Sequence, residues 1–160
     1  MENKKLIDRI RENPERAKIT QLVNVSWMEK YKSKVKVRSH EFIIDEPKSV
    51  AGDDAGPTPT ELLLTSIAGC ELSVLSREAY LMGLQIEKAE IEIEGTLDIR
   101  GFMGIADVPP GFQNIKLNIK ITSRESREKL DDLIKIVHKR CPALNTLKNP
   151  PDIEVSYKLN

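Results

Sequence analysis

The sequence predicts an α+β fold of two layers with mostly antiparallel sheet, and three observations carry that prediction. Two segments alternate strictly between apolar and charged residues, one over 89–99 and one over 115–121. Between the first strand-like segments and this pair lies one long run, 59–82, that is apolar nearly all round in its first half. The elements read as strands, buried helix, two strands, helix, strand, without the βαβ repetition that a parallel sheet requires.

Residues 1–17 read as a short, highly charged helix with Leu6, Ile7 and Ile10 as its narrow apolar stripe. Residues 21–27 and 34–38 read as strands, and Ser39-His40 as a tight turn into a third at 41–44, giving a small antiparallel meander. Residues 45–59, DEPKSVAGDDAGPTP, hold three prolines, two glycines and four acids, the composition of a loop. Its length exceeds the usual connection, which points to function or to a crossover between subunits.

Pro59 suits the first turn of the long helix with Thr58 as its cap, and Gly83 suits its end. Leu62, Leu63, Leu64, Ile67, Ala68, Val74 and Leu75 make it a central, buried helix. In the alternating pair, Ala89, Ile91, Ile93, Leu97 and Ile99 share a face opposite Glu90, Glu92, Glu94, Thr96 and Asp98. Ile115, Leu117, Ile119 and Ile121 repeat the pattern opposite Lys116, Asn118 and Lys120. A row of acids beside a row of lysines predicts antiparallel pairing with one wet face, so the three glutamates are a solvated row and not paired catalytic acids. Residues 101–111 read as a flexible loop. Ser123 reads as the cap of a second helix, with Leu130, Leu133, Ile134, Val137 and Cys141 as its buried stripe. Ile153, Val155, Tyr157 and Leu159 alternate as a closing strand.

At 160 residues, with 31% charged and 39% hydrophobic, the chain is long enough for one domain with a real core. The expected organisation is a charged N-terminal helix over 1–18 and a single domain over 19–160. Twenty-five Lys+Arg balance 25 Asp+Glu, so there is no electrostatic footprint for nucleic acid. No apolar run approaches the roughly 18 residues of a membrane span. The N-terminus lacks the apolar stretch of a signal peptide, and the cytoplasm is the expected location. In that reducing compartment the two cysteines, Cys70 and Cys141, read as free, catalytic or redox-cycling thiols more than as a standing disulfide. One metal site would need both cysteines and both histidines to converge, and no cofactor is expected.

Taken alone, each cysteine also fits as a small apolar filler of a core. Cys70 lies roughly 16 Å along its helix at 1.5 Å per residue, beyond the first turn in which the helix dipole acts. A reactive Cys70 therefore needs a cation brought by tertiary structure, and arginine suits that role because it stays charged when partly buried. Cys141 precedes Pro142 and is placed to cap a short new helix, where amide dipoles favour a thiolate, against the negative end of the preceding helix. The net effect on this thiol is left open.

The combination of Asp45-Glu-Pro47, Gly56-Pro-Thr-Pro-Thr-Glu61, the following Leu-Leu-Leu-Thr-Ser-Ile-Ala-Gly-Cys70 and the later Cys141-Pro pair resembles the OsmC/Ohr family, the osmotically induced and organic-hydroperoxide-resistance proteins. The resemblance covers roughly residues 20–159. It implies an intertwined α+β homodimer with buried central helices, which agrees with the element order. It also implies a thiol peroxidase: Cys70 attacks a small organic or fatty-acid hydroperoxide, Cys141 resolves the sulfenic acid as a disulfide, and an external dithiol, such as a lipoylated protein, restores the pair.

In the peroxidase branches a glutamate follows the proline before the helix and pairs with an arginine at the reactive thiol. Here Thr60 holds that place and Glu61 stands one residue on, a rotation of about 100° on a helix. Arg38, in the meander, is the best match for the arginine, with Arg16 in reserve. Glu61 reads equally as a solvated first-turn acid and Arg38 as an exposed turn residue. His138, one turn before Cys141, reads as a complement to the helix C-terminus in preference to a proton carrier. His40 reads as an exposed turn residue, and Trp27 and Tyr31 as core or dimer-interface residues in preference to a substrate site. The alternative function is a binding or redox-sensing dimer without efficient peroxide chemistry. A general dithiol oxidoreductase lacks its Cys-x-x-Cys arrangement.

Overall fold

The computed structural model describes residues 2–159, with the fold class the sequence predicts. The chain divides into two compact units, residues 1–59 and 60–160. The first opens with α1 (Glu2–Glu12), and Pro14 starts a separate 3-10 turn to Ala17, so the charged helix is shorter than its composition suggests. Then follow β1 (Asn24–Glu29), β2 (Lys32–Val37) and β3 (His40–Ile44), an antiparallel sheet in sequence order. Val35 is its buried residue, facing Val25 on β1 and Phe42 on β3 in register. The second turn of the meander is Arg38-Ser39, one residue earlier than the sequence implies, and Arg38 adopts left-handed backbone at φ +53°. Both His40 and Trp27 are exposed; the Trp27 indole N–H donates to Lys30 O at 2.9 Å.

The long loop is built around one carboxylate. Asp45, 1% exposed, accepts backbone N–H bonds from Glu46 at 2.9 Å and from Asp53 and Ala55 at 3.1 Å each. Burial pushes the Asp45 carboxyl upward, but the three amides, Ala55 foremost, outweigh it and hold it below the ordinary range. Gly52 passes so close to the Glu46 carbonyl that any Cβ would collide with it. Asp53 then pairs with Lys30 at 2.7 Å and Lys32 at 3.0 Å.

The second unit is organised by α2 (Pro59–Met82), which starts and stops where its proline and glycine predict. Gly83 takes φ +69°, and the Gly83 and Leu84 amides return to Tyr80 O and Ala79 O, a glycine-ended helix stop. The strands β4 (Ile86–Leu97) and β5 (Phe112–Ser123) pair antiparallel. Glu90 faces Lys120 and Glu94 faces Lys116, the latter as an ion pair at 3.0 Å, while Ile91 faces Ile119 on the other side. Ile99 is not on the strand: Asp98 accepts the Arg100 amide at 3.0 Å and grips its guanidinium, which turns the chain into a single helical turn, α3 (Ile99–Phe102).

The next helix, α4 (Arg127–Arg140), is capped by Ser126 and not by Ser123. Ser123 is committed to the strand end, where its hydroxyl donates to Gln85 O at 2.5 Å and accepts from the Glu125 amide at 3.1 Å. Helix α5 (Pro142–Lys148) follows with no spacer beyond Cys141. Leu75 and Ala79 of α2, Leu84, and Leu133 and Val137 of α4 form the core, flanked by Ile86, Ala89 and Ile121 of the sheet. Each large aliphatic side chain so buried contributes about 1.5–3 kcal/mol. The expected closing strand is not formed. Ile153, Val155, Tyr157 and Leu159 are each at least 80% exposed. Period-two alternation yields a strand only where a sheet edge receives it, and no described strand pairs with this segment.

Candidate functional site

One face of α2 carries Ile67, Glu71, Leu75 and Glu78, all buried. Their spacing of four, four and three residues is that of a single helix stripe. The facing stripe runs through Leu133, Val137 and Cys141, each with no exposed surface. Apolar members of the two stripes pack together, and the carboxylates of Glu71 and Glu78 and the Cys141 thiol are buried with them.

Each carboxylate meets a partner from the end of α4. Glu78 receives the Arg140 guanidinium at 2.5 Å and that of its neighbour Arg77. Among the described residues no arginine pairs with Glu71. Its Oε2 stands 2.7 Å from His138 Nδ1, and its Oε1 is buried with no hydrogen-bond partner among the described residues. An ionised carboxylate only accepts, so in that state the contact requires the imidazole proton on Nδ1. His138 therefore reaches into the site, contrary to the reading of it as a cap for the helix end. The cap is supplied by Asn145, whose side-chain amide donates to His138 O at 3.1 Å and Cys141 O at 2.8 Å.

Cys141 is the last residue of one helix and the cap of the next. Its Sγ accepts the Leu144 amide at 3.4 Å, the interaction its position before Pro142 predicts. The question left open by the sequence now has a sign. Burial dominates, and with the Cys70 thiol and the Glu71 carboxylate beside it pushes the Cys141 thiol up to about 12 against the Leu144 donor. Both cysteines are free, and Cys70 is among the groups that raise the Cys141 thiol. Cys70 is partly exposed and Cys141 is buried.

Glu61 lies on the exposed first turn of α2, more than two turns before Cys70. Arg38 is an exposed residue of the β2–β3 turn in the first unit. Glu71, Glu78, His138 and Arg140 are the residues that sequence reasoning did not assign to a site. Their signal was present as two acids seven apart in an apolar helix, and as a histidine three residues before Cys141.

Comparison with known proteins agrees with this architecture. Residues 52–156 match the family model described as OsmC-like protein. The hydroperoxide reductase of Mycoplasma genitalium is 28% identical over 107 residues, 65% of this chain and 71% of that protein. That of Mycoplasma pneumoniae is 29% identical over 101 residues, 63% and 69% respectively. Among solved structures, the OsmC-like protein from Mycoplasma pneumoniae superposes with a TM-score of 0.71 at 26% identity, over 82% of this chain and 89% of that one. An organic hydroperoxide resistance protein of Bacillus subtilis shares the fold with a TM-score of 0.56 at 20% identity, over 82% and 93%. The chain belongs to the OsmC-like family.

Proposed function

We propose that the protein is a thiol-dependent peroxidase that reduces organic hydroperoxides to alcohols. What supports this reading is a pair of free thiols of unequal exposure, Cys70 partly exposed and Cys141 buried, with Cys70 among the groups that raise the Cys141 thiol. The names of the two mycoplasma relatives, hydroperoxide reductases, support it. Cys70 as thiolate attacks the terminal peroxide oxygen, the O–O bond breaks, and the alkoxide leaves as alcohol with one proton. The Cys70 sulfenic acid then condenses with Cys141, forming the S–S bond and releasing water. An external dithiol, for which a lipoylated protein is the family-derived candidate, returns both thiols and supplies the two electrons consumed.

Arg38 is our candidate for the cation that favours the Cys70 thiolate, and Glu61 for the acid that orients it. The test for the first is a thiol titration of Arg38→Ala, in which the Cys70 pKa rises if this cation acts. Homodimerisation, which the exposed Trp27 and the alternating segment at 153–159 favour, is read by light scattering of the purified chain.

The direct test is consumption of cumene or tert-butyl hydroperoxide with a dithiol reductant, for the wild type and Cys70→Ser. Turnover that disappears with Cys70 is expected. Absence of Cys70-dependent turnover overturns the reading in favour of a binding or redox-sensing role.

A further inference from the structure

We propose that Asn145 is a positioning residue for the Cys141 thiol: its side-chain amide fastens the cysteine to the end of α4 and so sets where that sulfur stands when it closes a disulfide with Cys70. This deepens the peroxidase reading and rests on it for the disulfide step.

Helix α4 ends without the glycine stop that ends α2. Cys141 takes extended backbone at φ −71° and ψ 111°, and Pro142 starts the next helix. A continuing helix would give the His138 carbonyl the amide of residue 142, which is a proline without one, and the Lys139 carbonyl that of Ala143, now beyond the bend. Asn145 Nδ2 serves both instead, at 3.1 Å and 3.3 Å. The same nitrogen donates to Cys141 O at 2.8 Å, the shortest of the three, and the Asn145 backbone N–H reaches that oxygen at 3.0 Å. Three carbonyls can be met only by the nitrogen of the side-chain amide, since its oxygen donates nothing.

The backbone and the sulfur of Cys141 are then both held. Its N–H donates to Val137 O at 2.9 Å, its carbonyl takes the two Asn145 donors, and its Sγ takes the Leu144 amide at 3.4 Å. Turning the thiol breaks the Leu144 contact, and moving the backbone breaks the Asn145 pair. The junction is also tied to α2. His138, whose carbonyl Asn145 holds, meets Glu71 Oε2 through Nδ1 at 2.7 Å, and Glu71 directly follows Cys70 in the chain. Hydrogen bonds thus run from the neighbour of one cysteine, through His138 and Asn145, to the backbone of the other.

A disulfide accepts Cα separations of only about 4.4–6.8 Å and a narrow torsion, so closure depends on how firmly its second sulfur is placed. In the closing step the S–S bond forms as the sulfenic S–O bond breaks, and the hydroxide leaves with the Cys141 proton as one water. Asn145 exchanges no proton. It secures orientation before the reaction.

The step is isolated without peroxide by dithiobis(nitrobenzoate). Cys70, the partly exposed thiol, attacks the reagent and releases one thionitrobenzoate in a phase proportional to reagent concentration. Cys141 then displaces the second in a concentration-independent phase, releasing one proton. Asn145→Ala is expected to leave the first phase within twofold and slow the second by about tenfold or more. The control is Thr146→Ala, which removes another bond of α5, Thr146 Oγ1 to Pro142 O at 2.9 Å, and is expected to leave both phases within twofold. The reduction potential of the pair in glutathione buffers should rise by about 30 mV for each tenfold loss of closing rate. A bond that only stabilised the fold would act alike in the reduced and oxidised forms and leave the potential unmoved. An unchanged or faster second phase in Asn145→Ala, an unmoved potential, or equal slowing in Thr146→Ala overturns the proposal. Should Asn145→Ala not fold, Asn145→Asp, which keeps the shape and removes the donors, decides by the same rule. A wild type with no second phase overturns the proposal whatever its turnover. Hydroperoxide turnover is scored separately: its absence with an Asn145-dependent second phase sinks only the peroxidase reading, and its presence with an Asn145-independent phase sinks only this one.

Discussion

The Leu144 amide points at Cys141 Sγ across 3.4 Å, and still the thiol is pushed up to about 12 because burial outweighs one donor. A weak sulfur acceptor gains little from a single N–H, whereas withdrawal from water penalises the whole thiolate charge. In Cys70→Ser, iodoacetamide should therefore modify Cys141 very slowly at pH 7, with a rate rising about tenfold per pH unit through pH 9. A plateau below pH 9, followed by mass spectrometry, would show that the amide wins.

Glu78 is held by two guanidiniums that are themselves about half exposed, Arg140 at 55% and Arg77 at 41%. Arg140→Ala should cost about 1–3 kcal/mol, the loss of a hydrogen bond to a charged buried group, moderated by Arg77. Removing both arginines should cost more than the two single losses combined, since it strands the carboxylate. Denaturant titration of the three variants checks the coupling.

Leu133 has no exposed surface and packs with Leu75, Ala79 and Val137. Leu133→Ala should destabilise the fold by about 2–5 kcal/mol through lost transfer and a cavity between α2 and α4. The same loosening should slow disulfide closure between Cys70 and Cys141, which rapid alkylation and gel shift would resolve.

The Asp45 carboxyl is held low by backbone donors, so its contribution is present above the ordinary value of 3.8 and fades as pH falls through its depressed folded value. Hydrogen exchange in acid should show the Asp53 and Ala55 amides losing protection before the β2–β3 ladder does. Asp45→Ala should abolish that protection at neutral pH, with the sheet intact.

Much of this fold was legible because its determinants are local. Pro59 and Gly83 bound α2 by backbone chemistry alone, and the antiparallel pairing of an acid-bearing strand with a lysine-bearing one follows from alternation and charge. Ser123 misled because two serines three apart both fit a cap, and the choice was made by Gln85, a strand away. The segment from Ile153 to Leu159 misled because alternation specifies faces and not a partner edge. Of the site, the cysteines were legible through a motif. Glu71 and His138 were not, since their contact joins residues 67 apart in sequence, and an acid in an apolar helix declares no partner until the opposing helix is in place.

Arg38 occupies left-handed backbone, a conformation that disfavours any side chain bearing a Cβ by roughly 1–2 kcal/mol. If Arg38 is the cation proposed for Cys70, the chain gives up hairpin stability to keep a guanidinium there. Arg38→Gly therefore separates the two quantities in one substitution: melting should shift upward while Cys70 reactivity falls. A variant that melts higher with Cys70 reactivity unchanged would sink the proposed role of Arg38, and one that gains stability at the cost of reactivity would mark this turn as a place where the chain prefers chemistry to comfort.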